Sequence, residues 1–288
     1  YKKNHELPKE ISNSMNRLDP EKNCFDIDFA HLKETDKWFC NIGYKKQYTD
    51  FAIIGDSHAL ALKPAFSSLA KEKNLKGIFT GYSGCIPFLN TYTIRGDQVE
   101  RNCKRLNEKL FSYIKKNKIN KIFLISRWSY YTTGSYDGKN FSLISTDKSF
   151  TSNIKKSRLA FTNGLKKTLE RYNKIDVEVI FIDQVPLQNF SAQNIYFKAI
   201  KKDKVDFEKY LYNMSVDYEK HILLNEFVRH EINSIKKNSL FNKINFDNFF
   251  CDEKKCIIGS KKGSFYSDSG HLSIFGSLQI KNLIEKFF

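Results

Sequence analysis

Ser57, Asp268 and His271 are the residues of this chain whose types and surroundings suit covalent chemistry. Ser57 closes the stretch Phe51-Ala-Ile-Ile-Gly-Asp-Ser57. The apolar run Phe51 to Ile54 reads as a buried strand, and Ala59 to Leu62 opens a helical pattern. The serine therefore falls where a strand hands over to a helix N-terminus. Backbone N–H groups without intrahelical partners point outward there, toward whatever binds. A serine hydroxyl is a weak nucleophile until a base takes its proton. The well-placed base is His271, far along the chain in Asp268-Ser-Gly-His271-Leu-Ser273. Asp268 can hold its imidazole in the proton-accepting tautomer and stabilise the charged form. The bland readings are an N-cap serine and a capping histidine. The presence of both stretches together favours chemistry.

Residues so far apart meet only if a fold gathers their loops. From Phe51 onward strand and helix patterns alternate. A helix is expected over Ala59 to Lys73 and a strand over Gly77 to Thr80, followed by a turn holding Gly81 and Gly84. Val99, Cys103, Leu106, Leu110 and Ile114 recur at helical spacing. Lys121 to Ile125 reads as the third strand, running into Ser126-Arg127-Trp128. Residues 129–150 read as a surface insertion, Ile154 to Tyr172 as a helix and Val177 to Asp183 as the fourth strand. A long connection over 184–205 precedes one long helix from Phe207 to Ile235. Phe246 to Phe250 is the expected fifth strand, and Ser273 to Phe288 the closing helix. This order predicts an α/β domain over 49–288, with a mostly parallel five-stranded sheet and helices on both faces. Such sheets bind ligands at the carboxyl ends of their strands. Residues 1–48 lack a clean period and read as an extension packed on that domain, with a short helix within Ile11 to Leu18.

The chain has 288 residues and a formal net charge of +16. That balance invites a nucleic-acid reading, but the charge is overwhelmingly lysine, and base readout and phosphate clamps favour arginine. Nucleic acid is therefore not expected as a partner. Dispersed lysine on solvated faces accounts for most of the charge, and an anionic glycan or membrane surface is the alternative. Six cysteines fall in three sequence-local couples, Cys24 with Cys40, Cys85 with Cys103 and Cys251 with Cys256. That pairing is expected, in an oxidising compartment, among the fifteen arrangements six cysteines allow. Their spacing suits zinc poorly, and no metal or cofactor is expected. No apolar run approaches the length of a membrane span. The opening at Tyr1 rather than Met is what a piece of a longer protein would show. His5, His31, His221 and His230 have no partner pattern and are assigned no role.

Gly-Asp-Ser after the first strand and Asp-x-x-His before the last helix resemble the SGNH/GDSL hydrolase superfamily. More narrowly, Gly55-Asp-Ser-His58, Cys85-x-Pro87, Ser126-Arg-Trp128, the Cys251–Cys256 couple and Asp268-Ser-Gly-His-Leu-Ser273 resemble the periplasmic SGNH domains fused to family 3 membrane-bound acyltransferases. The resemblance implies a three-layer α/β/α, flavodoxin-like fold. It implies Ser57 as nucleophile, His271 as general base and Asp268 as its orienting partner. The Ser57 N–H would be one oxyanion donor, and that of Gly81 or Gly84 a second. The family's usual Gly-x-Asn-Asp block is absent, and Ser126-Arg127-Trp128 stands in its place. Arg127 and Trp128 become candidates to line a sugar site. His58 is grouped with them, although it reads as packed rather than catalytic. The implied activity is O-acetylation of a bacterial surface glycan, lipopolysaccharide or capsule, on the periplasmic side of the inner membrane. The implied partners are a glycan acceptor and a membrane-embedded acyltransferase domain of the same polypeptide that delivers the acetyl donor. A carbohydrate acetylesterase with the same triad is the first alternative. A non-catalytic glycan-binding module is the second, and it predicts a broken triad or a closed cleft at Ser57.

Overall fold

Alternate residues of the central strands face opposite ways, and both sets are apolar. Phe51, Ile53, Phe79, Phe123, Ile125, Ile180 and Ile182 join one buried cluster. Ala52, Ile54, Ile78, Ile122, Leu124, Val179 and Phe181 join the other. A sheet apolar on both faces must be covered on both, which is why the sequence reads as strands alternating with helices. The structure is a computed structural model, and it describes residues 7–288 except 22, 28–37, 96, 148–152, 202–205 and 236–239. His5 and His31, like the end of the 129–150 insertion, fall outside the described residues, as does the Val99 side chain.

The central sheet has six strands: β1 (Cys40–Gly43), β2 (Phe51–Gly55), β3 (Lys76–Gly81), β4 (Lys121–Ile125), β5 (Glu178–Ile182) and β6 (Phe241–Ile244). Their order is β1-β3-β2-β4-β5-β6, with β1 antiparallel to β3 and every other pair parallel. Without β1 this is the flavodoxin-like order, whose switch point lies between β2 and β4. Ile53 stands between Phe79 and Phe123 in register. After the short helix α1 (Lys9–Ser14), α2 (Ser57–Glu72) covers one face through Leu62, Phe66 and Leu69, together with the C-terminal residues Ile280 and Ile284. The other is covered by Leu106, Leu110 and Ile114 of helix Asp97–Asn117 and by Phe161 and Leu165 of helix Ile154–Asn173. Val228 of helix Tyr218–Ser234 completes that layer.

Several expectations are corrected. The sheet has six strands rather than five, because Cys40–Gly43 adds an antiparallel edge. The last parallel strand is Phe241–Ile244, not 246–250. Asp247–Phe250 is a helical turn that buries Phe246 and Phe250, four residues apart, on one side. The single helix expected over 207–235 is two, Phe207–Met214 and Tyr218–Ser234. Ser215 turns back on itself, its Oγ donating to Leu211 O and accepting Ile258 N–H, so that Val216–Asp217 can pair with Lys255–Cys256. The closing helix is likewise two segments, Ile274–Gln279 and Lys281–Glu285. The 184–205 connection contains helix Ala192–Lys201. The 129–150 segment is anchored rather than loose: Ile144–Ser145 pairs with Tyr92–Thr93, and Tyr131, Thr132 and Ile144 are buried.

The three disulfides are Cys24–Cys40, Cys85–Cys103 and Cys251–Cys256, the expected pairing. Cys85–Cys103, at a sequence separation of 18, ties the turn after β3 to helix Asp97–Asn117. A loop of that length restricts the unfolded chain enough that Cys85→Ser/Cys103→Ser should lose about 3 kcal/mol of stability, read as a lower denaturant midpoint.

The segment before β1 is joined to the rest by specific contacts. Buried Lys63 of α2 pairs with Glu21. Ile274 N–H donates to Asn16 O, and Ser264 N–H to Ser14 Oγ. Phe25 bridges to Gly81 at the end of β3 and stacks on Phe79.

Candidate active site

The turn from β2 into α2 depends on Gly55. A Cβ there would lie 1.6 Å from Ile125 O, so only glycine lets β2 and β4 close up at this point. Asp56 follows as the N-cap of α2, and its Oδ1 accepts the His58 N–H at 2.9 Å. Its Oδ2 accepts from Ser126 Oγ (2.6 Å), Arg127 N–H (3.0 Å) and Tyr131 OH (3.1 Å). Burial pushes the Asp56 carboxyl above its usual range, and these four donors oppose the shift. Asp56 thus clamps the loops after β2 and β4 together and fixes the direction in which Ser57 leaves the sheet. Ser126 and Arg127, at the strand end where the resemblance leads one to expect an Asn block, supply two of those donors.

His271 is presented by a turn that Asp268 organises itself. Asp268 Oδ1 accepts the N–H groups of Gly270 (2.7 Å) and His271 (2.8 Å). The Ser267 N–H to His271 O bond and the Tyr266–Leu272 bridge close the turn. The Gln188 N–H braces it from outside through Ser269 O. The second oxygen, Oδ2, lies 2.7 Å from His271 Nδ1, and His271 Nε2 lies 2.8 Å from Ser57 Oγ. Burial works to raise the Asp268 carboxyl, but the bonds from His271, its charge and the two N–H groups outweigh it and hold the group well below the usual carboxylate range. A hydroxyl, an imidazole and an ionised carboxylate in this order can activate the hydroxyl for acyl transfer.

Ser57 and His271 open onto a cleft of about 310 Å³, walled by Leu60, Ser83 and, from the N-terminal segment, Arg17, Leu18 and Asp26. Asp26 holds a left-handed backbone (φ 50°), and its carboxylate accepts both the N–H (2.6 Å) and the Oγ (2.7 Å) of Ser83. Of the two glycines expected as oxyanion donors, Gly81 is excluded: its N–H donates to Cys24 O at 3.0 Å. Among the described residues the N–H groups of Ser57 and Gly84 donate to no protein acceptor. Gly84 has φ 65°, and a Cβ there would meet the Arg95 guanidinium at 2.1 Å, so the position needs glycine.

Two of the candidate sugar-site residues are not in the cleft. Trp128 is fully buried, stacked between Phe88 and Phe181 with its Nε1–H bonded to Ile182 O. Its large apolar ring fills the core instead. His58 is also buried and lies against the His271 ring, with centroids 4.7 Å apart. Burial, then the charges of His271 and Arg127, hold its imidazole well below its ordinary value, so it stays neutral beneath His271. Arg127 does reach a cleft, on the other side of the Asp268–His271 turn. His221 is buried in a bond to Asp247 (3.0 Å) that Arg229 shares, and His230 is exposed. Sequence reasoning missed Asp56, Asp26 and Ser83. The Gly-Asp-Ser stretch itself was the available signal for Asp56; nothing local marks Asp26.

The chain belongs to the family of SGNH domains fused to AT3 domains, whose family model matches residues 23–286. The family expected from the Gly-Asp-Ser-His and Asp-Ser-Gly-His-Leu-Ser stretches is thus the one found. Its fold is similar to that of the periplasmic domain of a lipopolysaccharide acetyltransferase from Salmonella ser. Paratyphi A. That likeness has TM-score 0.62 and 20% identity over 92% of this chain and 90% of that one. A candidate acylhydrolase from Bacteroides fragilis is a looser likeness, with TM-score 0.43 and 11% identity over 91% of this chain and 97% of that one. Comparison with curated protein sequences gave no match. No helix among the described residues is long and apolar enough to cross a membrane.

Proposed function

We propose that this domain is an O-acetyltransferase that carries an acetyl group on Ser57 and passes it to a hydroxyl of a bacterial surface polysaccharide, such as a lipopolysaccharide O-chain or a capsule. The supporting observation is the unbroken Ser57–His271–Asp268 chain of hydrogen bonds at the edge of an open cleft. Ser57 Oγ attacks the acetyl carbonyl while His271 Nε2 takes its proton. The donor's leaving group departs with that proton, and acetyl-Ser57 remains. An acceptor hydroxyl then gives its proton to His271 Nε2 and attacks the acetyl carbon. Ser57 Oγ leaves and recovers the proton. The N–H groups of Ser57 and Gly84 meet the negative oxygen of each tetrahedral intermediate. The fusion that characterises the family supports a membrane acyltransferase domain of the same polypeptide as the source of acetyl groups, and hence action on the periplasmic side.

The assembled triad and the open cleft speak against a non-catalytic binding module, which expects one of them to be lost. An acetylesterase would use the same residues with water as acceptor. The two are separated by incubating the domain with an activated acetyl ester and purified surface polysaccharide. O-acetylated sugar in the product supports transfer, and release of free acetate alone makes the domain an esterase. Asp26, in the wall of the cleft, acts on this chemistry chiefly by pinning the turn that carries Gly84. Asp26→Ala is therefore expected to lower kcat about tenfold, less than the loss from deleting an oxyanion donor outright, with KM for the acetyl ester little changed. Single-turnover rates of Ser57 acetylation would show it.

A further inference from the structure

The triad turn separates two clefts. Ser57 and His271 face the first, and Ser269 and Gly270 line the second, a polar cleft of about 400 Å³ that also takes in Arg127, Tyr136, Asn140 and Gln188. Arg127 is half-buried in this second wall, yet among the described residues it pairs with no carboxylate. The contrast with Arg171, held by Glu108, and Arg229, held by Asp183 and Asp247, is direct. One Arg127 Nη donates to Ser135 Oγ at 2.6 Å, the guanidinium lies 5.2 Å from the Tyr130 ring centroid, and Nε is buried without an acceptor. Its backbone N–H is bonded to Asp56, and Ser135 Oγ anchors the side chain itself. Asp137 is on the same rim, but it is exposed and its carboxylate accepts the Lys139 N–H. A guanidinium fork with unfilled donors and little water is a receptor for a carboxylate or a phosphate.

We infer that the Arg127 cleft binds an anionic group, carboxylate or phosphate, on the acceptor glycan, so that the polysaccharide this domain modifies is an acidic one. Calling the ligand an acceptor rests on the transferase reading; the anion site itself does not. Burial works to lower the pKa of this guanidinium, the nearby Asp56 charge offsets part of that cost, and an anion in the cleft would offset more. The chain's net charge of +16 would draw an acidic polymer toward it at a distance.

The test needs no acetyl donor, so it is independent of Ser57 chemistry. The wild-type chain is titrated at fixed ionic strength with glucuronate, glucose 6-phosphate and neutral glucose, following the Arg127 Nε–H signal by NMR. The expected result is a saturable shift with one or both anionic sugars and none with glucose. Glucuronate and phosphate arms tell carboxylate from phosphate recognition. Arg127→Gln should weaken the anion about tenfold, and Arg127→Lys should weaken it less, keeping charge but losing the fork. No shift with either anion, an equal shift with glucose, or unchanged affinity in Arg127→Gln would each overturn the inference. The wild-type titration decides even if a variant does not fold.

Discussion

Ser57→Ala should lower the rate of acetyl transfer by about 10⁴-fold or more, because it deletes the only atom proposed to carry the acetyl group. Ser57 Oγ is 2.8 Å from His271 Nε2, and among the described residues its own N–H donates to no protein acceptor. Removing the hydroxyl leaves that N–H, Gly84 and the cleft in place. The residual rate should therefore stay above the uncatalysed one, as it does when other triads lose a member. Stability should change little, since the N-cap of α2 is Asp56 and not Ser57. A variant that lost activity by unfolding would show a lowered denaturant midpoint, and a nucleophile variant would not.

Asp268→Asn is expected to cost about 10³- to 10⁴-fold in kcat, with KM nearly unchanged. The carboxylate accepts from the His271 ring through Oδ2 and from two backbone N–H groups through Oδ1. An amide oxygen could keep the backbone bonds and thus the turn. Its NH₂ would then face Nδ1 as a donor, which favours the tautomer with the proton on Nε2, where it cannot accept from Ser57. The depressed pKa of Asp268 has a defined consequence for stability. Its contribution is present above the ordinary carboxylate value and declines as pH falls below it toward the depressed native value. Between about pH 5 and 8 the group stays ionised in both states, so its contribution is complete there and does not change with pH. An acid-unfolding series should show wild type more stable than Asp268→Asn near neutrality, with the gap narrowing as pH falls below the ordinary carboxylate value. A gap that stays the same as pH falls through the acid range would contradict the assignment.

The parts of the site that were legible in the sequence are those that carry their own local structure. Gly55-Asp56-Ser57 includes the close approach that demands glycine and the cap that starts α2. Asp268 to His271 includes an aspartate that folds its own turn. Each motif places a turn-forming residue beside the reacting one, so residue type and spacing were enough to find them. Short continuous apolar runs and helical patterns likewise placed the four inner strands and the helices flanking them. What escaped depends on distant partners. Gly81 and Gly84 look equivalent in sequence, and only the arrival of Cys24 O beside Gly81 decides between them. Asp26 belongs to a stretch without periodicity, and its importance arises from Ser83, far along the chain. Trp128 stands at a strand end, where an aromatic side chain suits a sugar, but Phe88 and Phe181 close over it. The break at Ser215 comes from pairing with Lys255–Cys256, which a helical pattern cannot reveal.

The measurement that bears most directly on the proposed chemistry is brief exposure of the domain to an activated acetyl ester, followed by intact-mass analysis and peptide mapping. The account predicts one acetyl group, located on Ser57, absent from Ser57→Ala, and lost faster when an acceptor polysaccharide is added. Acetylation of the wild type confined to lysines, with the Ser57 peptide unmodified while acetyl transfer to the glycan still proceeds, would contradict it.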